Sequence, residues 1–315
     1  MSPDESGSGA FQMTFLRTCF AIGLASLAAL LAVPAPGVQA DDLTPEQIKE
    51  GQRFIVNNAL FILFHESGHM LVSELELPVL GREEDAVDAL SSVMLLESED
   101  DELKAAMQDA ADGWFLIDEA NGDALDDSDF LDTHGLDRQR AYSIVCMMAG
   151  ADADYFKVFI DSLNFPAERR EECVDEYAKT RDSWFGLLEA HEDDKKTTKF
   201  TVTYEPANNA DLQPFADLLK ENQVLESIEA TYGEGYDIPD GIKVTGKTCG
   251  TENAFWNPAD REITYCYEMA AYHAALMVNY FGNQNATANE DVEQAESETP
   301  EAEANANSVK LKLKD

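Results

Sequence analysis

Positive charge is what this sequence has least of. Lys and Arg number 22 against 62 Asp and Glu, a formal net charge of -40 over 315 residues. Nucleic-acid binding needs basic surface to meet phosphates, so that class of function is excluded. The acidic excess reads as a solvated surface that keeps the chain soluble. Long apolar runs are also lacking after residue 40, so the mature chain is expected to hold no integral membrane segment. Cysteine is scarce, with five in all. Histidine is equally scarce, again with five.

The single apolar run of note is N-terminal. Arg17 precedes Cys19–Val33, Pro34 and Pro36 break the run, and Val38-Gln39-Ala40 resembles a small-residue cleavage site. That three-part layout predicts a secretory signal peptide over 1–40 and an exported protein, periplasmic or extracellular. Four cysteines then remain: Cys146, Cys173, Cys249 and Cys266. An even count in an exported chain suggests two disulfides. Local spacing favours Cys146–Cys173 and Cys249–Cys266 among the three pairings possible. Four reduced, buried thiols are the alternative.

Residues 41–282 are expected to form one α+β domain, mostly helical. Thr44-Pro45-Glu46-Gln47 combines a cap, a first-turn proline and a capping box, and starts a helix to about Leu75. Further helices are predicted near 83–96, 102–119, 137–148, 153–163, 167–191 and 212–222. Asn121 to Asp132 is read as an acidic, solvated loop; it lacks the spacing and glycine of a calcium loop. Lys199 to Tyr204 alternates like a strand. Asn253–Trp256 and Glu262–Cys266 flank the turn Asn257-Pro258-Ala259-Asp260 and predict a β-hairpin. A last helix covers 267–280. The Ala-, Asn- and Glu-rich stretch 283–315 is expected to be a disordered acidic tail.

Chemistry concentrates at Phe64-His65-Glu66-Ser67-Gly68-His69, which contains H-E-x-x-H. Residues four apart share a helix face, so both imidazoles can reach one zinc ion. Glu66, next to the first histidine, is placed to act as general base toward water activated by the metal. A third protein ligand is needed, and Glu84 is the best candidate. It opens an E-x-x-x-D pattern with Asp88, which can accept a hydrogen bond from a ligand imidazole and hold its tautomer. Glu83 and Asp85 lack an acidic partner four residues on. His134 is a candidate for stabilising an oxyanion. Arg138 and Arg140 read as partners for nearby carboxylates, and Tyr265 and Tyr267 as packing residues. His191 and His273 read as ordinary surface or core histidines. The edge of Asn253–Trp256 could bind an extended peptide, although nothing in the sequence puts it beside the metal.

A glutamate ligand with a helical aspartate resembles the glutamate zincins. The link from His69 to Glu84 is short for that class and leaves the third ligand open. A wider resemblance covers nearly all of the mature chain. It rests on Phe64 to His69, on Leu77-Pro78-Val79-Leu80-Gly81-Arg82-Glu83-Glu84-Asp85 with Asp88, and on His134 to Arg140 with Cys146. Arg169 to Cys173, Cys249-Gly250, Asn253 to Trp256 and Arg261 to Glu268 complete it. These blocks resemble a bacterial family of exported metallopeptidases of unknown function. The resemblance implies a zincin-like fold, a zinc cofactor and a peptide or protein substrate. The rivals are a non-catalytic exported zinc-binding protein that keeps the site, and a structural protein in which the motif is accidental.

Overall fold

The chain is described by a computed structural model covering residues 43–98, 100–122 and 124–297, without the side chains of 194 and 286–297. The expected signal peptide lies outside the described residues.

Helix α1 (Pro45–Glu74) opens as its sequence demands. Thr44 accepts from the Gln47 amide, and the Gln47 side chain accepts from the Thr44 amide. The helix then turns apolar on several faces at once, because it runs through the middle of the molecule. Phe61, Leu63, Phe64, Met70 and Leu71 are each 2% exposed or less. Each such side chain stabilises the fold by about 1.5–3 kcal/mol. Helices α2 (Glu83–Leu96), α3 (Asp101–Asn121) and α10 (Tyr267–Ser297) pack around it.

Beyond α3 comes a one-turn helix, α4 (Asp127–Leu131), inside the stretch expected to be loop. Asp126 caps it, accepting from Ser128, and Asp129 closes a capping box. None of its residues is buried, so solvent exposure was the correct part of the expectation. Helices α5 (Asp137–Asp152), α6 (Lys157–Ser162) and α7 (Ala167–Glu189) follow. The Cys146–Cys173 disulfide ties α5 to α7. Glycine at 150 lets these helices touch, since a Cβ there would lie 2.2 Å from the Cys173 carbonyl oxygen.

The second half adds β1 (Glu192–Thr197), β2 (Phe200–Tyr204), α8 (Gln213–Glu221), α9 (Glu226–Tyr232), β3 (Glu234–Tyr236), β4 (Ile242–Lys247), β5 (Ala254–Asn257) and β6 (Glu262–Cys266). A four-stranded sheet has the order β2-β4-β6-β5. Its first three strands are parallel, and β5 pairs antiparallel to β6 as an edge strand. Strands β1 and β3 form a separate ribbon. The expected hairpin is therefore present, within a sheet larger than its sequence signal. The Cys249–Cys266 disulfide joins the end of β6 to the loop before β5. Helix α10 continues to Ser297, past the boundary expected at 282. No proline follows before Pro300, so a helix already nucleated can extend through the Ala- and Glu-containing run. Residues 298–315 lie outside the described residues.

Candidate metal centre

Helices α1 and α2 meet at Gly68 and Val87, and the candidate ligands flank that contact. A Cβ on Gly68 would lie 2.7 Å from the Val87 Cβ, so the glycine allows an approach that no other residue would. His65 and His69 project from α1, and Glu84 from α2. The Nε2 atoms of both histidines lie 3.2 Å from Glu84 Oε2. The three donor atoms are mutually within 4.8 Å.

Each ring is oriented from its other nitrogen. His65 Nδ1 is 2.7 Å from Asp88 Oδ1. His69 Nδ1 is 2.8 Å from Glu83 Oε1. With both Nδ1–H groups donating to carboxylates, the Nε2 lone pairs point at the common centre. The donor set fits a divalent metal on this ground. Two imidazole nitrogens and one carboxylate oxygen, the donor types of a zinc site, converge here with each ring held from its far side. Tetrahedral ligands about 2.0–2.1 Å from zinc would stand about 3.3 Å apart, close to the separations seen.

His134 joins the group from the segment after α4. Its Nε2 is 3.0 Å from Glu84 Oε2, and its Nδ1 is 3.0 Å from Asp132 Oδ1. Asp132 also accepts from the His134 amide at 2.8 Å. Glu66 is 7% exposed and sits beside the cluster. Its Oε2 accepts from the backbone amide of Trp256 at 2.8 Å. That amide belongs to edge strand β5, which thus runs along the site. His65, Glu66, His69, Trp114, Phe255 and Trp256 are among the residues lining a cleft of about 650 Å³. A second cleft of about 1210 Å³, between α2, α5 and the α4 segment, shares His134 and Arg140 with it.

The electrostatics follow from this crowding. Hydrogen bonds from His134, His65 and His69 hold the Glu84 carboxyl far below its ordinary range. Burial works against a charged His65, but the bonds to Asp88 and Glu84 outweigh it and push the metal-free imidazole up to about 9. The same opposition raises His69, through Glu84 and Glu83. Burial raises Glu66, tempered by the neighbouring imidazoles and the Trp256 amide. His134 is raised chiefly by Glu84.

All five residues singled out on α1 and α2 come together with His134. Three partners were missed. Glu83 had been passed over for lacking an acidic residue four positions on, yet it reaches His69. Asp132 and the Trp256 amide carry no local signal, because they arrive through tertiary structure. Arg138 pairs with Asp118, and Arg140 with Asp88. Tyr265 and His273 are buried and neither lines the cleft, and the Tyr267 hydroxyl donates to backbone carbonyls of Glu205 and Gly246.

Residues 38–188 and 204–304 match the model of a family described as "Putative metallopeptidase". The chain belongs to that family. The match spans α1, α2 and the segment carrying His134, and resumes over the strands that bring Trp256 to Glu66. Family membership implies a metal and peptide hydrolysis at the level of the class. No curated protein and no solved structure matches the chain.

Proposed function

We propose that this protein is an exported zinc peptidase whose metal is held by His65, His69 and Glu84. The observation that carries the reading is the convergence of two Nε2 atoms and one carboxylate oxygen beside the buried Glu66. When bound, zinc supplies Lewis-acid polarisation of the peptide carbonyl and lowers the pKa of water. The protein side chains do the rest. Glu66 takes a proton from the attacking water and passes it to the leaving amine. Its raised proton affinity, from burial, suits that exchange. The Trp256 amide fixes the Glu66 carboxylate in place. His134, anchored by Asp132, holds its Nε2–H beside Glu84 Oε2 and would turn that N–H to the developing oxyanion in the reaction. Asp88 and Glu83 hold the two ligand rings.

Strand β5 lines the cleft through Ala254, Phe255 and Trp256, so an extended peptide bound there would lie along it. Two disulfides support export. The test is peptide cleavage by the zinc-loaded protein, with Glu66→Gln beside it. Cleavage lost by at least about a hundredfold in Glu66→Gln, at unchanged zinc content, is the expected result. Zinc binding without any Glu66-dependent cleavage would instead leave a non-catalytic zinc-binding protein.

A further inference from the structure

We infer that Arg140 is a positioning residue for the metal centre, acting on His65 through Asp88. The inference rests on the reading that His65, His69 and Glu84 hold zinc.

Arg140 comes from α5, 52 residues beyond Asp88 in sequence. Its Nε donates to Asp88 Oδ2 and its Nη2 to Asp88 Oδ1, both at 2.8 Å. Asp88 Oδ1 is the same atom that accepts from His65 Nδ1 at 2.7 Å. Both carboxylate oxygens are thus engaged, and the plane of the carboxylate is set by the guanidinium fork. Alone, a carboxylate turns freely about its Cβ–Cγ bond, and an aspartate facing one imidazole can swing out of line. The fork removes that freedom.

The guanidinium is itself restrained. It stacks over the Trp114 ring of α3, 3.5 Å from the ring centroid. The Arg140 side chain is 9% exposed and that of Asp88 14%. Most ion pairs on this acidic surface are solvated and interchangeable, as surface pairs generally are. This one is part-buried, two-pronged, stacked, and one hydrogen bond from a ligand. The order Trp114, Arg140, Asp88, His65 links α3, α5, α2 and α1, so the ring that faces the metal is steadied from three neighbouring helices. A merely structural role for Arg140 would be to neutralise a buried carboxylate. A positioning role adds a consequence: the arginine matters to the metal only while Asp88 can accept from His65.

The experiment is a double-mutant cycle on the mature chain, read as zinc dissociation constants by chelator competition. Wild type, Arg140→Met, Asp88→Asn and the double variant are compared. The cobalt-substituted proteins are examined by visible absorption. Arg140→Met is expected to weaken zinc binding by about 10–100-fold, as loss of an outer partner of a metal ligand commonly does. The double variant is expected to bind no more weakly than Asp88→Asn alone, because both changes break one relay. Arg140→Lys keeps the charge without the fork and should fall between. The cobalt spectrum should change in Arg140→Met, reporting an altered His65. Should Arg140→Met fail to fold, the cycle built on Arg140→Lys carries the same test. Unchanged zinc affinity in the Arg140 variants, or losses that multiply in the double variant, would overturn the inference. Absence of stoichiometric zinc in the wild type would instead overturn the metal reading beneath it.

Discussion

Gly68→Ala separates the fold from the metal centre. Gly68 lies between His65 and His69, and it faces Val87, which lies between Glu84 and Asp88. The added Cβ would meet Val87 Cβ at 2.7 Å and Cγ1 at 2.8 Å. Carbon atoms ordinarily sit about 3.5–4.0 Å apart, so the two helices must part by about 1 Å. Val87 is fully buried, and its nearest atom is the Cβ, which no change of rotamer moves. Overpacking of this kind costs about 1–3 kcal/mol, and replacing a helical glycine by alanine returns about 1 kcal/mol. The net loss is about 0–2 kcal/mol, and the variant should fold. The donors are less forgiving, since metal–ligand distances tolerate only about 0.2 Å. Zinc affinity should fall by more than tenfold while the melting temperature of the metal-free protein drops by no more than about 8 °C. Val87→Gly in the same background should restore binding. A folded Gly68→Ala protein with wild-type zinc affinity would refute the claim that this contact sets the ligand spacing.

Other consequences follow from the charged groups and the cross-links. His65 sits at about 9 in the metal-free protein, so at pH 7 it carries a proton that zinc must displace. Zinc affinity should therefore rise from pH 6 to pH 9 and level off above; calorimetry in buffers of different ionisation enthalpy should show proton release at pH 7. An affinity that does not vary over this range would contradict the Asp88–His65 relay. Burial, then the neighbouring Asp109, push Asp112 up to about 7. A carboxyl raised in the folded state is destabilising above that pH, and the penalty disappears as pH falls toward its unfolded value. Asp112→Asn should thus stabilise the protein by about 1–3 kcal/mol at pH 8 and have little effect near pH 4, as measured by denaturant titration. Removing the Cys146–Cys173 bridge, which closes a 27-residue separation, should cost about 3 kcal/mol. Equal denaturation midpoints for Cys146→Ala/Cys173→Ala and the wild type would argue against that bridge.

The helical half of the fold was legible because its signals are local. Thr44, Pro45 and Gln47 mark the start of α1 within four residues, and the span 83–96 matched α2 residue for residue. Strands β1, β3 and β4 and helix α9 were not legible. Glu192–Thr197 is a wholly polar run that becomes a strand only by pairing with β3. Strand β4 owes its place to parallel pairing with β2 and β6, across crossovers that no short pattern records. At the site the same division holds. Spacing within one helix brought out His65, Glu66 and His69, and spacing within the next brought out Glu84 and Asp88. Gly68 could not be interpreted without Val87, nor Arg140 without Asp88 and Trp114. The Trp256 amide is a backbone group 190 positions from Glu66, and only the folded sheet delivers it.

The most direct test of the central claim is an equilibrium zinc titration of the mature wild-type protein beside His65→Ala and Glu84→Ala. One zinc per chain is expected in the wild type, abolished in His65→Ala and markedly weakened in Glu84→Ala. A wild-type protein with no stoichiometric zinc, or one whose zinc survives both substitutions unchanged, would contradict it.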